Sequence, residues 1–371
     1  MPALQHKRWT PEPLTAIVLV AALLTGLGRG APAGAVAILF DFSHDVHGFF
    51  DDPQRVETLE YAGRMFERYV DSLEEIAPGG SNTWSANFFD PATGELTIVD
   101  NLFVPADTII VYAGGRSMGS GTLGRGGFGA IAALSGSSAW RQTVRYRGQD
   151  GAPQDNLSIW GGSVAFNTGS SWHFDPHVAA PSGTYDFLSV AIHELGHVLG
   201  IGTAQSWFNQ IDDDDDFTGP QAVAIHGGPA PVQSDRYHWA NGTSSTVGGL
   251  TQTASMVPSI PRATRRWFTD LDHAALGDIG WEEAPMGDVN LDGAVNLRDA
   301  AVLLSRYQSP GLWAWTDGDL TGDGAVSPSD LARLLTHWPD PIATMTASPV
   351  PEPGTLTLLA CSAAALLRRR R

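Results

Sequence analysis

The stretch FLSVAIHELGHVLGIG (187–202) constrains this chain more than any other. Phe187, Leu188, Val190, Ala191, Ile192, Leu195, Val198 and Leu199 form an apolar run of helical length, which predicts a buried helix. Into that run are set His193, Glu194 and His197. Polar side chains facing a core are costly unless they are paired or bound. Positions i and i+4 share one helix face, so the two imidazoles project together. Both can then reach one metal at about 2.0–2.1 Å, the usual zinc–nitrogen distance. Glu194, next to His193, would reach a water on that metal rather than the metal itself, and would serve as general base. The pattern points to metal-assisted hydrolysis.

A catalytic zinc usually takes three protein ligands and keeps one position open. The third must come from beyond the helix. The candidates are His226, His238 and His273. His238, in DRYHWANG, follows an irregular segment (205–250) and precedes Met256, an order that suits a ligand delivered by a loop; it is the favoured choice. His226 precedes two glycines and reads as a turn residue. His273, in FTDLDHAALGDIGW, falls on an expected helix with Leu271, Ala274, Ala275 and Leu276 and reads as structural. His173 and His177, like His44 and His47 near Asp45, read as loop residues.

At 371 residues the chain has room for one catalytic domain and small appendages. Its net charge of −18 argues against a nucleic-acid partner, which needs clustered Lys and Arg, and Lys7 is the only lysine. Excess acid can instead supply oxygen ligands for hard cations. The single cysteine, Cys361, permits neither an intramolecular disulfide nor a thiolate zinc cage. Strands are expected at AVAILFDF (35–42), TIIVYAG (108–114) and SVAFNTG (163–169), the last at the edge of the cleft. A helix is expected over 55–76, stopped by PGG (78–80). The glycine-rich stretch after residue 114 contains G-x-G-x-x-G at Gly119, Gly121 and Gly124, but no helix follows at once, so it reads as a flexible surface loop rather than a nucleotide site. The run Asp212–Asp216 reads as a solvated loop.

HELGHVLGIG, the displaced third histidine and Met256 in ASMVPSI resemble zinc peptidases of the metzincin clan, leishmanolysin-like in type. In the common metzincin motif a histidine follows the glycine by three; here Thr203 stands there instead of that histidine. The resemblance covers roughly 36–284. It implies an α+β domain with a small sheet over the active-site helix, one catalytic zinc, Glu194 as the catalytic residue, His193, His197 and His238 as ligands, and Met256 as a structural residue of a turn beneath the metal. It implies a protein or peptide substrate.

Residues 287–307 and 318–338 are two copies of one unit, with a period of 31 residues from Asp288 to Asp319. Oxygen-bearing residues recur at loop positions 1, 3, 5 and 12: Asp288, Asn290, Asp292 and Asp299, then Asp319, Thr321, Asp323 and Asp330. Gly293 and Gly324 supply the sharp turn, and Ala294 and Ala325 a backbone carbonyl. This spacing wraps a hard cation. With aspartate rather than glutamate at position 12 and a helix after each loop, 287–340 resembles a small all-α type I dockerin module, which implies two calcium ions and a cohesin-like partner. Thr321, in place of an acid, predicts a weaker second site.

Both ends read as processing segments. A basic start, the apolar run 14–27 and the small residues 33–35 suggest a signal peptide over 1–35. In the linker and tail, 341–371, VPEP, an apolar stretch and four arginines resemble a PEP-CTERM sorting signal. That resemblance implies an exosortase-type processing enzyme, only transient membrane contact, and release or attachment at the surface of a Gram-negative-type bacterium. The sequence therefore leads to a secreted zinc endopeptidase. The alternative is an inactive surface or matrix protein that attaches through its calcium module.

Overall fold

A computed structural model describes residues 34–149 and 159–338. The sorting tail, and all but the last two residues of the expected signal peptide, lie outside the described residues. The chain is a mixed α/β structure. Its strands and helices run β1 (Ala37–Asp41), α1 (Pro53–Arg64), β2 (Thr83–Phe89), β3 (Leu96–Asp100), β4 (Thr108–Arg116), β5 (Gly124–Phe128), β6 (Ala130–Ser135), α2 (Ser138–Tyr146), β7 (Gly161–Asn167) and α3 (Phe187–Val198). Beyond these come short pieces, including Gln205–Phe208 and Pro220–His226, then helices Asp270–Asp278, Leu297–Arg306 and Pro328–Thr336.

The principal sheet has the order β1-β4-β7-β5. β1, β4 and β7 run parallel, and β5 pairs antiparallel with β7 and forms an edge. Buried parallel strands need apolar residues on both faces, and β4 and β7 have them. On one face Val111, Ala113, Val164 and Phe166 pack with Phe187, Leu188 and Ile192 of α3 and Leu59 of α1. On the other, Tyr112 and Trp160 pack with Trp84 and Phe88 of a second sheet, β3-β2-β6. All twelve residues of α3 are buried between this sheet and the later helices, as its apolar run requires.

Three expectations change. The helix over 55–76 ends at Arg64. Of its expected apolar residues, Leu59, Met65, Phe66 and Leu73 are buried all the same, and Val70 is half-buried. The backbone beyond Arg64 is claimed by tertiary bonds instead: Tyr69 accepts from Val36 N–H, and Val70 donates to Glu282. The glycine-rich stretch is not a surface loop throughout; Gly124–Phe128 is the edge strand β5, lying against α3. The strand expected at 163–169 runs instead from Gly161 to Asn167, between β4 and β5 in the sheet; its place beside the cleft stands, with Ser163 and Ala165 lining it.

In the repeat, each loop leads into a helix through a capping box: Asn296 with Asp299, and Ser327 with Asp330. Val289, Leu303, Trp315, Leu320 and Leu334 form its small core. The repeat is seated on the first part of the chain. Tyr61 Oη donates to Trp313 O at 2.9 Å, Arg64 pairs with Asp317 at 2.6 Å, and the Arg68 guanidinium lies 4.6 Å from the Trp315 ring centre.

Candidate metal centre

α3 carries His193 and His197 on one face, and both are buried, as is Glu194. After Leu199 the chain reverses at Gly200, whose φ of 111° suits glycine. The turn brings Ile201 O back to His197 Nδ1, at 2.8 Å. His193 Nδ1 meets Ser255 O at 2.7 Å, and His238 Nδ1 meets Asp235 Oδ2 at 2.8 Å. With each Nδ1 donating its hydrogen to such an acceptor, each Nε2 presents a lone pair. These converge: Nε2 of His197 is 3.2 Å from Nε2 of His193 and 3.2 Å from Nε2 of His238. Among the described residues this is the one set of three or more His, Cys, Asp or Glu whose ligand atoms lie within 4.8 Å of one another.

Burial, reinforced by the neighbouring imidazoles, holds His193 well below the ordinary histidine value and brings His197 down to about 4. Neutral imidazoles crowding their lone pairs at this distance suit a shared cation, and an all-nitrogen set of three suits zinc with one position open.

Glu194 faces β5. A Cβ at Gly124 would lie 2.6 Å from Glu194 Oε1, and one at Gly126 would lie 2.0 Å from the Glu194 carbonyl oxygen, so the strand can approach only because it is glycine there. Burial pushes the Glu194 carboxyl up to about 8, against the Gly126 N–H that donates to it and the positive charge of Arg125. The glutamate and the three histidines line one cleft of about 1040 Å³.

The Met256 sulfur lies 2.5 Å from where a Gly196 Cβ would be, so Met256 packs against α3 next to Ser255, whose carbonyl holds His193. Asp272 ties this segment to the ligand loop. Its buried carboxylate accepts from Ser255 N (2.8 Å), Met256 N (3.2 Å), Trp239 Nε1 (2.8 Å) and Thr269 N (2.9 Å). Burial raises its pKa although these donors oppose the shift. The sequence reading missed Asp272. A signal was present, since Thr269 and Asp272 have the spacing of a capping box.

The other described histidines named as candidates stay away from the cage. His226 ends a short helix, with Nδ1 3.2 Å from Gly228 O. His273 is buried against Tyr69 Oη, at 2.8 Å. His44 pairs with Asp90 at 2.6 Å, and His173 meets Val178 O at 3.1 Å.

In the first acidic loop Asp288 accepts from Asp292 N and Gly293 N, and Asp299 accepts from Asn290 N and Asn296 N. The second loop repeats this: Asp319 accepts from Asp323 N and Gly324 N, and Asp330 from Thr321 N and Ser327 N. Burial and the neighbouring acids raise both Asp288 and Asp319, Asp319 far more, with Asp330 and Asp323 as its like-charged neighbours. Like charges gathered this way suit a hard cation. Ala294 and Ala325 sit at the carbonyl-donating turns, where their own N–H groups bind Asp292 and Asp323.

Residues 286–337 match the dockerin type I domain. Neither a curated protein nor a solved structure matches the chain. The dockerin module therefore accounts for the repeat, and the domain before it is read from its own geometry.

Proposed function

We propose that residues 36–284 are a zinc-dependent endopeptidase of metzincin type, exported and held at or released from the cell surface, with the dockerin module as its attachment device. The observation that carries the catalytic reading is the convergence of three Nε2 atoms in a cleft that also presents Glu194. Zinc, when bound, supplies Lewis acidity that activates water and polarises a carbonyl. His193, His197 and His238 would hold it, each oriented through its Nδ1. Glu194 takes the proton of the attacking water and passes it to the leaving amine. β5 offers a free edge along which an extended peptide can pair by main-chain hydrogen bonds. Export rests on the sequence of the two end segments.

The dockerin match favours a second role, calcium-dependent attachment to a cohesin-like protein partner. It also leaves room for a front domain without activity. Zinc content and casein hydrolysis of the mature protein beside Glu194→Ala decide between the two. An active enzyme should hold one zinc in both proteins and lose about a thousandfold or more of its rate in the variant. Equal rates in the two would end the catalytic reading.

A further inference from the structure

The cleft is charged opposite to the rest of the protein. The chain carries −18 overall, yet Glu194 is the only acidic residue lining the cleft, and two arginines, Arg116 and Arg125, line it as well. Arg55, Arg64, Arg68, Arg236, Arg265 and Arg333 each pair with a carboxylate; among the described residues neither Arg116 nor Arg125 does.

Their placement is specific. On β5, Gly124 and Gly126 face Glu194, so Arg125 between them projects to the opposite face of the strand, where it is exposed. Arg116, at the end of β4, lies on that same face. Its guanidinium packs against Gly94, 3.1 Å from where a Cβ would be, and donates to Pro91 O at 3.1 Å. It is thus held in place by backbone carbonyls; the Asp90 carboxylate attracts it but is itself paired with His44. Burial lowers the Arg116 pKa, and the positive charge of Arg125 lowers it further against the opposing pull of Asp90, so the two guanidinium groups feel each other. A peptide extended along the β5 edge presents alternate side chains to the two faces of the sheet, one set toward α3 and the zinc ligands, the other toward the arginines.

Resting on the peptidase reading above, we propose that Arg116 and Arg125 form a subsite for a carboxylate side chain, so that the enzyme selects peptides with Asp or Glu beside the scissile bond. A guanidinium paired with a carboxylate gives a short, charge-assisted hydrogen bond, stronger than any amide of the same shape can make there.

The test uses internally quenched peptides that differ only in Glu, Gln or Lys, scanned through the positions flanking the cleaved bond. At one position the wild type should prefer Glu to Gln by about tenfold in kcat/KM. Arg125→Gln and Arg116→Gln should each erode that ratio, and Arg125→Glu should turn the preference toward Lys. An inverted preference cannot come from misfolding, and zinc content monitors the fold of each variant. Equal turnover of Glu and Gln peptides at every position would overturn the subsite and leave the peptidase reading intact. The same peptides, labelled for fluorescence anisotropy, are titrated onto zinc-loaded Glu194→Ala protein at low and high salt. If the wild type cleaves nothing, the peptidase reading has failed, and the anisotropy still decides the subsite. Tighter, salt-sensitive binding of the Glu peptide that is lost in Arg125→Gln supports it, and indistinguishable binding sinks it.

Discussion

On the reading proposed above the histidine cage takes zinc as the dockerin loops take calcium, and the two are built in opposite ways. The cage draws its ligands from distant parts of the chain, two on α3 and a third 41 residues after His197, and it lies in the large core. Of its acceptors, Ser255 O comes from a further segment, while Ile201 O lies in the turn after α3 and Asp235 on the His238 loop itself. Each dockerin loop takes its ligands from twelve consecutive residues and has only a small apolar core behind it. The cage is therefore a product of packing that exists before the metal. The loops gather carboxylates that repel one another, so packing alone does not stabilise them.

The largest consequence is a difference in what chelation does. A calcium chelator should abolish the cooperative folding of 286–337, because binding energy at such sites is folding energy. Far-UV circular dichroism should lose the signal of the two helices Leu297–Arg306 and Pro328–Thr336. A zinc chelator should leave the spectrum of the front domain almost unchanged while removing activity. If zinc removal unfolded the front domain and calcium removal left the module intact, the comparison would be backwards.

Asp272 gives the next largest effect, because the cage depends on it from a distance. Replacing it with alanine strands at least four buried donors, from Ser255, Met256, Trp239 and Thr269. The expected loss is about 3–5 kcal/mol of front-domain stability, read from urea unfolding with zinc present. Zinc affinity should fall by roughly 10–100-fold, since Ser255 and the His238 loop lose their tether. A stable variant with unchanged zinc affinity would show that the cage does not depend on this carboxylate.

What could be read in the sequence follows the same division. The local features were legible: the apolar helix with its H-E-x-x-H, the two loops in register, the strands at 37–41 and 108–116. His238 was favoured by order along the chain, and the structure brings it to His193 and His197. Asp272 and β5 were not legible, for the same reason. The carboxylate matters through segments 16 to 33 residues away, and GRGGF looks like a loop because glycine is needed for close approach to Glu194, which no local pattern records. The helix from 55 was overextended because its apolar spacing continues past Arg64 while the backbone is diverted to Val36 and Glu282.

The two calcium loops sharpen the comparison further, since near-identical sequences meet different surroundings. The second is sealed against the front domain: a Cβ on Gly324 would lie 2.7 Å from the Trp267 ring, and one on Gly248 would lie 3.1 Å from Asp323 Oδ2. Arg333, on the helix after that loop, pairs with Asp270 at 3.3 Å. Thr321 alone predicts a weaker second site, but this packing supports it. With calcium present, Asp319→Ala should lower the melting of both regions, by about 2 kcal/mol for the front domain, the scale of losing a few buried polar and packing contacts. Asp288→Ala should affect the module alone. Equal effects of the two variants on the front domain would remove the distinction between the loops.

The smallest effect lies at the join. The Asp71 carboxylate accepts from Glu282 N at 3.1 Å, just before the dockerin module begins, and burial pushes its pKa up to about 6 despite that bond. In the unfolded chain an aspartate titrates near 3.9, so below that pH both states are protonated and the site costs nothing. As pH rises from about 3.9 to about 6 the unfolded chain has released its proton while the folded one still holds it, and stability falls. The full penalty is reached above pH 6 and is bounded at about 3 kcal/mol by the shift. Asp71→Asn keeps an acceptor for Glu282 and removes the charge, so it should stabilise the protein by about 1–2 kcal/mol at pH 7.5 and by nothing measurable at about pH 3, below both values. A gain of the same size at both pH values would mean that packing at the join, rather than the buried charge, sets the cost of holding the two regions together.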